Sequence, residues 1–163
     1  KLLRPNNSLF IAAGSTCAEM TKVLPDIPLQ VFTDGLVTAL ELSKYSNIEA
    51  TMIGGQINTD SVRSSGFKVF EELNKLHFDF SFLGTDAYRP DFGFVCCSAH
   101  AAALFQTLIE RSDKTVVLMD SSKVDAIRAA RSIPTNQVDI VVSDGGLSNA
   151  TAKALSQAGV MLL

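Results

Sequence analysis

Nothing in these 163 residues marks a membrane protein, a nucleic-acid-binding arm or a disulfide scaffold. No apolar run approaches the roughly 18 residues that a spanning helix needs. No charged-then-apolar leader stands at the start. Basic residues do not dominate: 14 Lys and Arg face 17 Asp and Glu, for a formal charge of −3, and Arg128 and Arg131 form the densest basic pair. Gripping a phosphate backbone takes a basic stripe, so this chain is not expected to bind DNA by itself. The three cysteines, Cys17, Cys96 and Cys97, are odd in number, two of them adjacent, with no C-x-x-C spacing. That excludes a disulfide framework and argues against zinc. Reduced thiols, with no leader, fit a cytoplasmic protein. Also missing are G-x-G-x-x-G, the Walker lysine motif, H-E-x-x-H and G-x-S-x-G, so no cofactor or metal is called for. There is no solenoid repeat and no low-complexity tract.

What is present suits a single globular domain over residues 1–163. Hydrophobic residues make up 47% and charged residues 19%, a composition that folds rather than stays disordered. The chain begins at Lys1 without Met and reads as a fragment.

One pattern recurs. A short β-rich apolar run ends in Gly, Asp, Ser or Thr, and a helical segment usually follows. Strands are predicted at Ser8–Ala13, Leu29–Thr33, Glu49–Ile53, Asp79–Leu83, Thr115–Met119, Asp139–Val142 and Val160–Leu163, with Val95–Cys97 a further short one. Helices are predicted over Thr16–Leu24 and Leu36–Lys44. A third carries Phe67, Phe70 and Leu73 at helical spacing. A fourth, Ala99–Arg111, carries the stripe Ala101, Leu104, Phe105, Leu108. Asn149 is placed to cap a last helix and Gly159 to end it. Gln56–Ser65 and Tyr88–Phe94 read as polar loops. Strands apolar throughout are buried on both faces, as in a mostly parallel sheet with helices on each side.

Such a sheet delivers the carboxyl end of every strand to one edge, where ligands bind. Gly14-Ser15-Thr16 is the sharpest element: a glycine turn followed by amides and two hydroxyls at a helix start, suited to a phosphate or carboxylate. Helix capping by Ser15 or Thr16 explains the same residues. In Asp120-Ser121-Ser122-Lys123, Lys123 offers a compact cation for an anionic ligand and Asp120 can fix it; a surface ion pair is the plain alternative. Asp34, within Thr33-Asp34-Gly35, and Asp86, after Gly84, can bond sugar hydroxyls or simply make turns. Gly54 and Gly55 permit close backbone approach. His100 stands near a helix start by the same edge. Cys17, in a helix's first turn, reads as a packed thiol.

The order of these pieces is more specific than any one of them. Phe10–Thr16, Val31–Asp34, Ile53–Gly55, Asp79–Gly84, Val117–Lys123 and Val138–Asp144 together resemble the C-terminal domain of DeoR-type sugar-metabolism repressors, across nearly the whole chain. The resemblance implies a three-layer α/β fold shared with ribose-5-phosphate isomerase and the coenzyme A transferases. It implies a sugar phosphate or related metabolite as effector, at Gly14, Ser15, Thr16, Asp120 and Lys123. It also implies an N-terminal helix-turn-helix domain outside this chain, through which DNA is bound, and self-association to read paired half-sites.

The chain departs from that family at Ala12 and Asp34, where Asp and Asn are usual, and at Ala101 and Phe105, where a Glu and a Lys face the pocket. Fewer polar groups there predict an effector smaller or less hydroxylated than a hexose phosphate. An isomerase is the competing reading, since Leu83–Pro90 resembles the isomerases' acidic segment. Its second and third acids fall on Ala87 and Arg89, and its later glutamate falls within Cys97–Phe105, which has no carboxylate. No nucleophilic Glu follows a strand, as a coenzyme A transferase needs. A pure oligomerisation domain is the third reading.

Overall fold

The computed structural model describes residues 2–96, 98–125 and 131–163, with backbone only at Arg131 and Ser132. Cys97 and Arg128, both named above, lie outside the described residues. The chain opens with β1 (Ser8–Ile11), α1 (Ser15–Thr21), β2 (Leu29–Thr33), α2 (Leu36–Leu42) and β3 (Ile48–Met52). A small hairpin follows, β4 (Gln56–Asn58) and β5 (Arg63–Ser65), then α3 (Phe67–Leu73) and β6 (Phe78–Gly84). A second hairpin, β7 (Ala87–Arg89) and β8 (Gly93–Cys96), leads to α4 (Ala99–Glu110), β9 (Ser112–Leu118) and β10 (Arg131–Ile133). The chain closes with β11 (Ile140–Val142), α5 (Asn149–Gln157) and β12 (Met161–Leu162).

Seven strands form one sheet in the order β12-β11-β9-β6-β1-β2-β3, and all six neighbouring pairs are parallel. The chain therefore starts in mid-sheet, builds outward to β3, then returns to the other flank of β1 and builds the opposite way. Side chains alternate between faces as the pleat requires. Leu9, Ile11, Val116 and Leu118 share one core with Cys17 of α1 and Leu42 of α2. Phe10, Ala12 and Val117 share the other with Val69 and Leu73 of α3, Leu104, Phe105 and Leu108 of α4, and Leu155 of α5. Helices thus cover both faces, the three-layer arrangement expected for doubly buried strands.

Several local expectations are corrected. Gln56–Ser65 is a hairpin, not a loop: Ser64 is buried, its Oγ donating to the Ile53 carbonyl at 2.6 Å and its N–H to that of Asp34 at 2.8 Å. Polar side chains paired to backbone carry no apolar signature. Tyr88–Phe94 is also a hairpin, and Tyr88 and Phe94 bury their rings together at 4.8 Å. In α3 the buried residues are Val69 and Leu73, while Phe67 stays 80% exposed. Ser148, not Asn149, caps α5, its Oγ accepting from Thr151 N–H at 3.1 Å. Gly159 adopts φ +83°, the left-handed conformation that ends such a helix. Other element ends shift by a turn or less, because pairing with neighbours decides them.

Candidate functional site

Strand order reverses between β1 and β6, and in an open parallel sheet this is where a crevice opens beyond the carboxyl ends. The two strands stay paired up to Ala12, whose N–H donates to the Phe82 carbonyl at 2.9 Å. Their continuations then part around a cavity of about 200 Å³. Gly14, Ser15 and Thr16 form one wall. Gly14 takes φ +147°, a conformation reserved for glycine, and faces open space where a side chain would stand. No side chain caps α1, so the Ser15 and Thr16 hydroxyls, both exposed, are not used as caps. The opposite wall is Gly84, Thr85 and Asp86. The Thr85 hydroxyl donates to the Ala87 carbonyl at 2.7 Å, and Asp86 N–H donates to that of Val95 at 3.0 Å, which ties the β6 exit to the second hairpin.

The floor is apolar and includes Leu104, Ala101 and Phe105 of α4. Phe105 belongs to the core as well, 6.5 Å from the Phe94 ring. Two cations meet the cavity. Lys123 sits at the end of a 3-10 turn (Ser121–Lys123) and makes no ion pair among the described residues. Asp120 caps this turn, accepting from the Ser122 N–H at 2.9 Å and from the Ser122 hydroxyl, a bond that holds its carboxyl below the usual range. It does not line the cavity itself. Asp144 steadies the same turn through the Ser121 N–H at 3.0 Å.

The second cation, Arg63, escaped the sequence reading, although it is the only basic residue in the stretch Gln56–Ser65. Its Nη2 donates to the Ala13 carbonyl at 2.8 Å and its Nε stands 3.4 Å from Asp34 Oδ2. The other oxygen of Asp34 accepts the Ala13 N–H at 2.8 Å. Burial pushes the Asp34 carboxyl above its usual range, against the pull of Arg63.

The remaining candidates lie elsewhere. Thr33 and Asp34 are buried, and the Thr33 Oγ1 accepts the Gly35 N–H at 3.0 Å. Gly35 lets α2 start against Ala13: an added Cβ would stand 2.9 Å from the Ala13 Cα. Gly55 fits under the first hairpin, where a Cβ would approach the Ser65 carbonyl to 2.6 Å. None of these, nor Gly54, lines the cavity between β1 and β6. The hairpin β4–β5 covers the carboxyl end of β2, so not every strand end shares the crevice. His100, in the first turn of α4, faces an adjoining chamber of about 680 Å³. Its ring stands edge-on to Phe70 at 5.3 Å, and its Nε2 is buried without a hydrogen bond to any of the described residues. Burial, then the charge of Arg63, lowers its pKa. Cys17 is a packed thiol, pushed up to about 12 by burial. Among the described residues no group of three or more His, Cys, Asp or Glu side chains is placed to hold a metal, and no helix is long and apolar enough to cross a membrane.

A doubly wound parallel sheet with a crevice at its switch point makes this an open α/β domain. The chain belongs to the DeoR C-terminal sensor domain family, whose model matches residues 1–145. It is 30% identical over 155 residues to an HTH-type transcriptional regulator of Bacillus subtilis, YulB, covering 95% of this chain and 60% of that protein. It is 27% identical over 160 residues to the HTH-type transcriptional regulator GolR of Listeria innocua, covering 98% and 63%. A putative aga operon transcriptional repressor of Escherichia coli O157:H7 is 26% identical over 164 residues, covering 100% and 61%. The chain thus spans about three-fifths of these relatives. Among solved structures, ribose 5-phosphate isomerase A of Methanocaldococcus jannaschii shares the fold, with a TM-score of 0.52 at 15% identity over 76% of this chain and 48% of that one.

Proposed function

We propose that this chain is the effector-sensing part of a DeoR-type bacterial transcriptional regulator, and that it takes a phosphorylated sugar or related small anionic metabolite into the crevice between β1 and β6. The carrying observation is that Lys123, without an ion pair among the described residues, lines the same cavity as Gly14, Ser15 and Thr16. A cation facing amides and hydroxyls suits an anion. Arg63, paired with Asp34, also lines the cavity, and Asp86 is the one acid among the cavity's described lining residues. Operator binding falls to a helix-turn-helix domain outside this chain, and self-association of the sensor sets the spacing of two half-sites.

An isomerase reading draws on the shared fold and on the likeness of Leu83–Pro90 to the isomerases' acidic segment. Against it, Asp86 is kept but the positions of the second and third acids are Ala87, which is fully buried, and Arg89, which pairs with Asp91 at 2.7 Å on the second hairpin.

Thermal-shift screening of phosphorylated and unphosphorylated sugars and sugar acids tests the proposal. A ligand at 100 times its dissociation constant adds about 2.7 kcal/mol of stability. Phosphorylated compounds are expected to stabilise the chain, and Lys123→Ala to weaken their binding by about 1–3 kcal/mol. No stabilisation by any anion, or unchanged binding in Lys123→Ala, refutes it.

A further inference from the structure

The two edges of the main sheet, β12 and β3, are unlike. β12 is two residues long, and shortness by itself blunts an edge. β3 runs five residues, Ile48–Met52, and among the described residues no strand pairs with its outer side. The Asn47 carbonyl accepts the Leu29 N–H at 3.3 Å, and the Ile53 N–H donates to the Thr33 carbonyl at 2.8 Å. Bonds to one neighbour fall on alternate residues of a strand, so the odd-numbered positions of β3 turn to β2. The N–H and carbonyl groups of Ile48, Ala50 and Met52 therefore point outward. Edges are commonly guarded by Lys or Pro, and this strand has neither. Its one charge, Glu49, accepts from the Gln30 side chain of β2 at 3.4 Å.

The helix beside this edge is apolar on the matching side. α2 packs against both α1 and β3. Tyr45, just after α2, donates its hydroxyl to the Thr21 carbonyl of α1 at 2.7 Å, while Thr38 and Leu42 are buried. At about 3.6 residues per turn, the flank opposite Tyr45 holds Leu36, Ala39, Leu40 and, at the C-cap, Ser43. None of the four is charged or buried, and Leu40 is 65% exposed. Glu41 and Lys44, which pair at 2.7 Å, fall nearer α1.

We propose that β3 and α2 form the surface through which two copies of this chain associate, β3 pairing antiparallel with β3 of the second copy about a two-fold axis at Ala50. This rests on the self-association proposed above and names its surface. A two-fold contact must be complementary to itself. Outward backbone groups have to meet outward backbone groups, so Ile48, Ala50 and Met52 pair among themselves. With the axis at Ala50, Ala50 meets Ala50, Ile48 meets Met52, Glu49 stands opposite Thr51, and all five residues pair. An axis at Glu49 would set two carboxylates directly opposite, which destabilises a pair of strands. An axis at Thr51 would leave only Ala50–Met52 paired. Ile48, Ala50 and Met52 share one face of the strand, and Ile48 shares its core with Leu42 of α2. The apolar ladder and the apolar flank of α2 are thus on the same side. The axis brings the two α2 helices side by side, with Ala39 and Ser43 small enough to let them approach. The chain carries a net charge of −3, so two copies repel in general; along the strand seam each copy contributes one acid, held by Gln30. The two sheets become one, and antiparallel pairing sets the two crevices at its opposite ends.

Sedimentation equilibrium at micromolar concentrations provides the test. The unaltered chain should sediment as a dimer. Ala50→Lys and Ala50→Asp each place like charges on the axis, and each should weaken association about tenfold or more. An equimolar mixture of the two variants should recover the dimer, because opposite charges then meet; a residue that faces itself gives this pattern. A head-to-tail contact of β3 with β12 would instead grow without closing, and mixing the variants would not restore it. Ala50→Cys should form an intermolecular disulfide under mild oxidation beyond any in the unaltered chain, since Cα atoms of such a pair stand about 5.5 Å apart. Ala50 is exposed, so the thermal midpoint of each variant by circular dichroism should match that of the unaltered chain. If the unaltered chain is monomeric, self-association through this domain and the β3 surface both fail, while effector sensing stands. If it associates and the charged variants associate as tightly, or their mixture stays monomeric, or Ala50→Cys adds no cross-link, the β3 surface is refuted while self-association stands.

Discussion

Arg63, which opens β5, and Asp34, which follows β2, approach to 3.4 Å and bond the backbone of a single residue, Ala13, from its two sides. The residue before the glycine turn is thereby held at its N–H and its carbonyl. This is how a seven-residue helix with no side-chain cap keeps a fixed entry.

Removing one member should be costly, because the other is left with little solvent: Arg63 is 12% exposed and Asp34 fully buried. Breaking a buried pair typically costs about 3–5 kcal/mol. Asp34→Ala is expected to lower the unfolding free energy by about 3 kcal/mol, and Asp34→Asn by less, since an amide oxygen can still accept the Ala13 N–H. Urea denaturation measures both. A loss below about 1 kcal/mol for Asp34→Ala would mean that the clamp contributes little.

Isomerase turnover should be absent. An aldose–ketose isomerase needs an acid–base group at the carbon proton, and Asp86 is the one carboxylate among the inner cavity's described lining residues. Incubation with ribose 5-phosphate should yield ketose only at the background rate. Turnover abolished by Asp86→Ala would overturn this.

His100 should make stability depend on pH on the acid side of neutrality. Its folded pKa lies below the ordinary 6.5, through burial first and Arg63 second, with Asp34 opposing. As pH falls from 6.5 toward the folded value, the unfolded chain takes up a proton that the folded chain refuses, and stability declines through that window. Proton NMR should find the imidazole titrating below 6.5, and His100→Phe should flatten the dependence of the urea midpoint between pH 6.5 and the folded value. An imidazole titrating at or above 6.5 would show that burial is not the controlling influence.

The parallel sheet was legible because each strand is apolar throughout and ends in a turn residue, as Phe10-Ile11 before Gly14 and Val117-Leu118 before Asp120 illustrate. Gly14, Ser15, Thr16, Gly84, Asp86 and Lys123 could be named because a strand's carboxyl end is a position the sequence displays. Which strand ends meet was not displayed: that depends on strand order. Thr33 ends β2 and Asp34 and Gly35 follow it, one place from the switch point, where the first hairpin covers them. The hairpin itself was invisible, since Ser64 is buried by bonds to backbone, and Arg63 went with it. His100 was placed correctly beside the crevice edge but its chamber was not foreseen, because half of that chamber is the hairpin.

The central pairing joins distant parts of the chain: Leu9 stands opposite Phe80. Forming it means closing a loop that contains β2, β3 and the first hairpin, and non-local closures of this kind come late and slowly in folding. The residues on either side of the crevice are consequently strangers until that step is complete. No fragment ending before β6, and none beginning after β1, has both walls. A ligand at the switch point therefore has nothing to hold in a half-folded chain, and its whole binding energy should act against global unfolding, slowing degradation of the occupied protein as well as raising its melting temperature.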